Sequence, residues 1–394
     1  MLYLGIDIGK SSHVASLIDD AGKILFKAFS FPNSTDGGDS LVEILSKHVK
    51  NAADVSIGME ATGHYWLSLY SFLVDKGYLI HVINPIQTDG WRKGTEIRKR
   101  KTDAIDSVLI AELMRYGSFV ETSLADENLF ALRNLTRFRT YLVDSISDLK
   151  RKVICVLDQV FPEYESVFSN VFGATSKELL LAYTTPGELE ALSVDSLAEL
   201  LAKLSRKKVS YAKAEKLSVL AASSFGVTFS KEAFSFQLKL LIQQMQFIEG
   251  QVKDTEKQIE QLMESIPSQI TTITGIGKIT GAIILSEIGD INKFDSPVRL
   301  VAYAGIDASV TQSGQYESTH NVMSKRGSPY LRRALYQAAL IAAFKDPSLN
   351  LFYQKKLAEG KHHKTCIGAV SRKLIYIIYA VLKSNKPYEV RMPN

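Results

Sequence analysis

Four cations, Arg98, Lys99, Arg100 and Lys101, run directly into Thr102, and two carboxylates, Asp103 and Asp106, follow. If Thr102 is the N-cap, a helix starting there puts Asp103 and Asp106 one turn apart on one face, where both can reach one divalent cation. Cations beside such a pair suit a polyanion, so the juxtaposition points to phosphate chemistry. The same stretch also describes a charged helix start, with Asp favoured near the positive end of the helix dipole. Two further acids weigh against that plainer reading. Asp7 stands inside the apolar run LYLGIDI, where a charge is costly unless it is paired or metal-bound. Glu60 ends another apolar run just before Ala61, Thr62 and Gly63, a turn that would expose it at a strand end. Taken singly, Asp7 can hydrogen-bond a neighbouring backbone and Glu60 can be a surface residue. Taken together, Asp7, Glu60, Asp103 and Asp106 on one sheet edge form an oxygen-only ligand set, which suits Mg²⁺ or Mn²⁺ and not zinc.

A second set of groups lies far downstream. Ser313 precedes Gly314 in a loop-like stretch, where a hydroxyl meets little steric shielding, and Lys325, Arg326, Arg332 and Arg333 follow as possible phosphate contacts. Ser-Gly pairs are common in turns, so composition alone does not make Ser313 a nucleophile. Upstream, six of the ten residues from Arg92 to Lys101 are basic: Arg92, Lys93, Arg98, Lys99, Arg100 and Lys101. Gly275 and Gly277, in ITGIG, would let backbone N–H groups approach a phosphate at a helix N-terminus, as in a helix-hairpin-helix element; a plain helical turn explains them nearly as well.

These groups need elements to position them. Residues 2–8, 12–18 and 24–31 read as three short strands joined by tight turns. A helix at about 39–49, a strand at 55–59 ending in Glu60, a helix near 65–76, a strand at 78–83 and the helix carrying Asp103 come next. Antiparallel hairpins followed by βα alternation describe an α/β domain with a mixed sheet. Apolar residues then recur in alternating steps of four and three within 135–160 and again from Phe234 to Ile266, where Thr255 is the polar exception. Heptads of this kind fit either an antiparallel hairpin or a dimer-forming coiled coil. Residues 165–230 read as a small helical insertion, and the last third as mainly helical, with a helix starting after Asp295, Ser296 and Pro297.

The whole chain has 394 residues and a net charge of +5, mildly basic, which permits a nucleic-acid partner without requiring one. Two cysteines, Cys155 and Cys366, are too few for a disulfide framework or a zinc cage, and both look like helix-core residues. The start lacks the features of a signal peptide, and no uninterrupted apolar run approaches the roughly 18 residues of a membrane span. The expected location is the bacterial or archaeal cytoplasm or nucleoid, with no membrane partner.

GIDIGK around Asp7, MEATGHYW around Glu60, HVINP at 81–85 and KTDAIDSVLIAEL at 101–113 resemble the RuvC-like, ribonuclease H fold domain of DEDD-type insertion-sequence transposases. These are also known as bridge-RNA-guided serine recombinases, and the Piv DNA invertases are related. AYAGIDASVTQSG and MSKRGSPYLRRALYQAA resemble the transposase domain of the same family. The resemblance implies a RuvC-like domain over 1–125 and a mainly α-helical transposase domain over 266–394; between them the helical periods place a coiled-coil region over 126–265 with an insertion at about 165–230. It implies that Asp7, Glu60, Asp103 and Asp106 bind Mg²⁺ or Mn²⁺ and that Ser313 is the nucleophile. The implied partners are double-stranded DNA at the element ends and target, a noncoding bridge RNA, and further copies of the chain in a dimer or tetramer. Competing expectations are a RuvC-like nuclease using water, a Piv-type site-specific invertase, and a non-catalytic nucleic-acid-binding assembly protein.

Overall fold

The computed structural model describes residues 1–61, 63–95, 102–117, 119, 127–205, 211–307, 312–313, 316–317 and 322–391. They form two compact units, Met1–Leu124 and Ala125–Asn394.

In the first unit, β1 (Leu2–Ile8), β2 (Ser12–Ile18) and β3 (Ile24–Pro32) make an antiparallel meander. After α1 (Thr35–Ser46) the chain adds β4 (Val55–Glu60) parallel to β1, and after α2 (Trp66–Asp75) it adds β5 (Leu79–Ile83) parallel to β4. The sheet order is β3-β2-β1-β4-β5, so β1 is central and paired on both edges. That is why LYLGIDI is apolar almost throughout, as a strand buried on both faces must be. Leu4, Ile6 and Ile8 pack with Leu41 and Leu45 of α1 and Leu69 and Leu73 of α2. The opposite face, carrying Tyr3, Gly5 and Asp7, receives α4 (Asp103–Tyr116). Between β5 and α4 lies α3 (Pro85–Thr95).

Two glycines let α4 sit close. A Cβ on Gly5 would fall 2.0 Å from Ser107 O and 2.4 Å from Ala111 N, and one on Gly58 would fall 2.6 Å from Met114 Cγ. Beside Gly5, the buried Ser16 hydroxyl bonds Ser107 Oγ at 2.7 Å and accepts from Ala28 N at 3.1 Å. The polar contact therefore ties α4 to the meander at the point of closest approach.

In the second unit, α5 (Glu127–Val160) packs antiparallel to the helix Lys231–Glu264. Leu132 shares a cluster with Ile259, Arg139 pairs with Glu256 at 2.7 Å, and Val153 to Val160 pack with Leu238 and Ile242. The heptads thus form a hairpin within one chain. Thr255 fits the seam because its hydroxyl bonds Gln251 O at 2.7 Å. Short helices at Ala174–Ala182, Pro186–Glu190, Val194–Leu204 and Tyr211–Ala222 fill the space between the two long ones in sequence. The final helices, Lys278–Ile288, Pro297–Ala304, Pro329–Lys345, Pro347–Ala358 and His363–Ser384, enclose one core.

One expectation needs correction: Cys155 is exposed on α5, and only Cys366 is buried. The helix His363–Ser384 is long and apolar enough by composition to cross a membrane, although Arg372 and Lys373 interrupt its apolar residues. Its Cys366, Ile367, Val370, Leu374 and Ile378 are spent in the core of the unit.

Candidate active site

The parallel register of β1 and β4 pairs Ile6 with Met59, and Asp7 and Glu60 are the next residues along. They therefore lie side by side at the C-terminal ends of two adjacent strands, on the face that carries Gly5 and Gly58. α4 crosses this face with Ser107 over Gly5, so Asp106, the residue before it, and Asp103, one turn before Ser107, arrive at the same edge. Thr102 caps α4, its hydroxyl accepting from Ile105 N at 3.3 Å, and Gly117 ends the helix with φ of 74°. The helix is thus held at both ends as well as along its length.

The electrostatics reflect this convergence. Asp7 is pushed up to about 6, first by burial and then by the negative charges of Asp106, Asp103 and Glu60 in that order. Within the edge, Asp106 forms a buried ion pair with Arg92, Nη2 to Oδ1 at 2.9 Å. Glu60 Oε2 accepts from the Thr88 hydroxyl at 2.6 Å, and Thr88 also bonds Pro85 O at 2.9 Å. Among the described residues no three His, Cys, Asp or Glu side chains stand close enough to share an ion as they are. The donor set nonetheless fits a hard divalent cation. It is all oxygen, and its mutual repulsion raises Asp7 in a way that a bound cation would reverse.

Thr88 was not legible as a site residue, and Arg92 was read as a nucleic-acid contact and not as the partner of Asp106. They lie four apart on one face of α3, a helix that the sequence reading did not anticipate. Its residues PIQTDGWRKGT contain two glycines and a proline, which mask its helical character. The available signal was Asn84 before Pro85: the Asn84 side chain accepts from Ile86 N at 3.0 Å, a helix start with proline in the first turn.

The expected cation contacts divide. Arg92 is taken up by Asp106, and Lys93 by Asp89 at 2.6 Å. Arg98, Lys99, Arg100 and Lys101 lie outside the described residues. Arg333 pairs with Asp144 of α5 at 2.7 Å, and Arg332 Nη1 donates to Ala304 O at 3.2 Å. Lys325 and Arg326 are exposed. Gly275, with φ of 92°, is packed so closely that a Cβ would meet Ala338 O at 2.5 Å; its bareness serves the helix Pro329–Lys345. Gly277 precedes the helix Lys278–Ile288 in open space.

Ser313 belongs to the second unit. Its backbone pairs with Tyr316, and that of Gln312 with Glu317, in a two-residue antiparallel ladder. Residues 308–311 and 314–315 on either side lie outside the described residues.

Two family models match the chain. One, a transposase model of the DEDD type, matches residues 4–162, and the other, described as the transposase IS116/IS110/IS902 family, matches residues 268–354. Similar curated proteins include a pilin gene-inverting protein of Moraxella bovis, 26% identical over 99% of this chain and 98% of that one. The insertion element IS110 protein of Streptomyces coelicolor is 24% identical over 100% and 96%. Among solved structures, Thermus thermophilus RuvC is 14% identical and covers 31% of this chain and 99% of its own, with a TM-score of 0.23. Two family models of the same kind, which together match more than half of the sequence, lead to one conclusion: the chain belongs to the IS110 family of DEDD transposases, which are DNA-processing enzymes.

Proposed function

We propose that the protein cuts and rejoins DNA through a phosphoserine intermediate, with Ser313 as nucleophile and Asp7, Glu60, Asp103 and Asp106 as ligands of Mg²⁺ or Mn²⁺. The observation that carries the acid half is the meeting of Asp7 and Glu60, at the ends of adjacent strands, with the start of α4, which bears Asp103 and Asp106. The serine half rests on the family resemblance of the sequence around it.

In this scheme the Ser313 hydroxyl oxygen bonds to phosphorus as the bond from phosphorus to a deoxyribose oxygen breaks. The serine proton passes to solvent or a neighbouring base, and the departing sugar oxygen takes up a proton. The energy of the broken diester is kept in the new one, so a second DNA hydroxyl can reverse the step and complete strand exchange. A divalent cation held by the four acids would supply positive charge for the phosphoryl oxygens and help deprotonate the attacking oxygen. Arg92 would release Asp106, and Thr88 would hold Glu60 in a fixed rotamer.

The same proposal includes DNA at element ends and target, a noncoding bridge RNA, and a homo-oligomer. Co-purifying RNA that survives nuclease-free isolation, and a particle mass that is a multiple of the chain's, are the corresponding measurements. A second outcome of the same chemistry is inversion of a DNA segment, favoured by the similarity to the pilin gene-inverting protein. Flanking DNA separates the two: a mobile element's ends in one case, an invertible gene segment in the other.

Trapping the protein on a DNA substrate and mapping the modified residue tests the core of the proposal. Ser313→Ala is expected to yield no covalent adduct while still binding DNA. Normal recombination by Ser313→Ala would leave a RuvC-like nuclease using water as the better account.

A further inference from the structure

The segment 304–307 leads into the stretch that carries Ser313, and 324–328 leads out of it. Four consecutive carbonyls at the entry each accept from a different donor. Ala304 O takes Arg332 Nη1 at 3.2 Å, and Gly305 O takes Lys325 N at 3.1 Å. Ile306 O takes Arg372 Nη2 at 3.0 Å, and Asp307 O takes Ser324 N at 2.9 Å. The Ser324 hydroxyl also bonds the Asp307 carboxylate. Entry and exit are thereby laced into a short stem, and two arginines from different helices grip it from outside.

The stem is built for close approach. Gly305, with φ of 66°, would place a Cβ 2.6 Å from Arg326 O and 2.8 Å from Arg332 Nη1; Gly327, with φ of 130°, would place one 1.9 Å from Tyr303 O. Beyond the exit, the Ser328 hydroxyl donates to Glu287 Oε2 at 2.7 Å, and Arg137 holds the same carboxylate at 2.7 and 3.0 Å. A guanidinium spent on one backbone carbonyl fixes that carbonyl's direction.

We propose that Arg332 and Arg372 are positioning residues for Ser313: the hydrogen bonds they donate to Ala304 O and Ile306 O fix the stem from which the serine is presented to a DNA phosphodiester. The proposal rests on the reading of Ser313 as nucleophile. It assigns Arg332 to the loop base instead of to DNA, and it adds Arg372, which no charge cluster in the sequence singled out.

The test uses full-length protein and a DNA substrate at saturating concentration, with the rate of covalent adduct formation as readout. Misplacing a reacting group by about 1 Å can cost roughly 100-fold, so Arg372→Ala and Arg332→Ala are expected to slow adduct formation by about 10- to 100-fold. DNA affinity and melting temperature should stay close to wild type. Arg372→Lys, which keeps one donor for one carbonyl, should recover much of the rate. A wild-type rate in Arg372→Ala overturns the proposal. So does a parallel loss of DNA affinity, which would make the arginines phosphate contacts, or a rate loss that tracks melting temperature without rescue by lysine, which would make them structural. Ser313→Ala run alongside separates the two levels: normal recombination there overturns the nucleophile, whereas an inactive Ser313→Ala beside a fully active Arg372→Ala overturns only the stem.

Discussion

Arg92 Nη2 lies 2.9 Å from Asp106 Oδ1, with the arginine side chain 18% and the aspartate 8% exposed. A guanidinium thus occupies one member of the acid cluster and offsets part of its charge. Losing one partner of a buried pair typically costs about 3–5 kcal/mol, because the other charge stays buried alone. Arg92→Ala is therefore predicted to lower the melting temperature of metal-free protein. It should also bind Mn²⁺ more tightly, since the guanidinium that competes for Asp106 is gone. Thermal melts with and without Mn²⁺ read both effects, and a variant with unchanged Mn²⁺ affinity would show that Arg92 does not compete with metal.

Asp7 gives a pH signature. Its folded pKa of about 6 lies above the ordinary 3.8, so the folded state prefers its protonated form. Its contribution to metal-free stability is complete below about pH 4 and is lost as pH rises through about 6. A metal ligand must shed that proton, so divalent-ion affinity should fall about tenfold for each pH unit below 6. Calorimetric Mn²⁺ titrations between pH 5 and 8 test this on the order-of-magnitude scale expected for one proton. If affinity is flat across that range, Asp7 is not a ligand.

Glu287 is 1% exposed and is held by Arg137 and Ser328. The hydrogen bonds that Arg137 donates to Glu287 are also the chief reason that its guanidinium is held above its ordinary pKa. Glu287→Ala would leave the Ser328 hydroxyl and the Arg137 fork without their acceptor and is predicted to destabilise the protein by about 3 kcal/mol. Arg137→Ala, which leaves the buried Glu287 carboxylate without its cation, should cost at least as much. Urea melts of the two variants rank them, and a clearly smaller loss in Arg137→Ala would contradict the burial argument.

Much of the acid cluster was legible because strand and helix periods fix faces. Asp7 between isoleucines, Glu60 before a glycine turn and the Thr102 cap each have a local cause that the sequence carries. Thr88 and the pairing of Arg92 with Asp106 were not legible, since α3 hides behind Gly90, Gly94 and Pro85. Nor can a sequence tell whether a cation faces solvent or a carbonyl: Arg332 looks like Lys325 on paper, yet one grips Ala304 O and the other is exposed. The heptads predicted two helices but left partner choice open, because a seam has the same pattern within a chain and between chains.

The bareness of Gly5 and Gly58 has a chemical consequence. Two of the four acids ride on α4 and two on the sheet beneath it, so the gap that these glycines keep narrow is also the width available to an ion. Mg²⁺ demands oxygens at about 2.0–2.1 Å, while Ca²⁺ accepts about 2.3–2.6 Å. Gly58→Ala, which presses on the Met114 and Ile110 side chains and not on backbone, is predicted to relax the preference for Mg²⁺ over Ca²⁺ before it unfolds the protein, as competitive titration would reveal. Gly5→Ala, which presses on helix backbone, should unfold it outright. Ion selectivity in this enzyme would then be a property of core packing, set by two absent methyl groups.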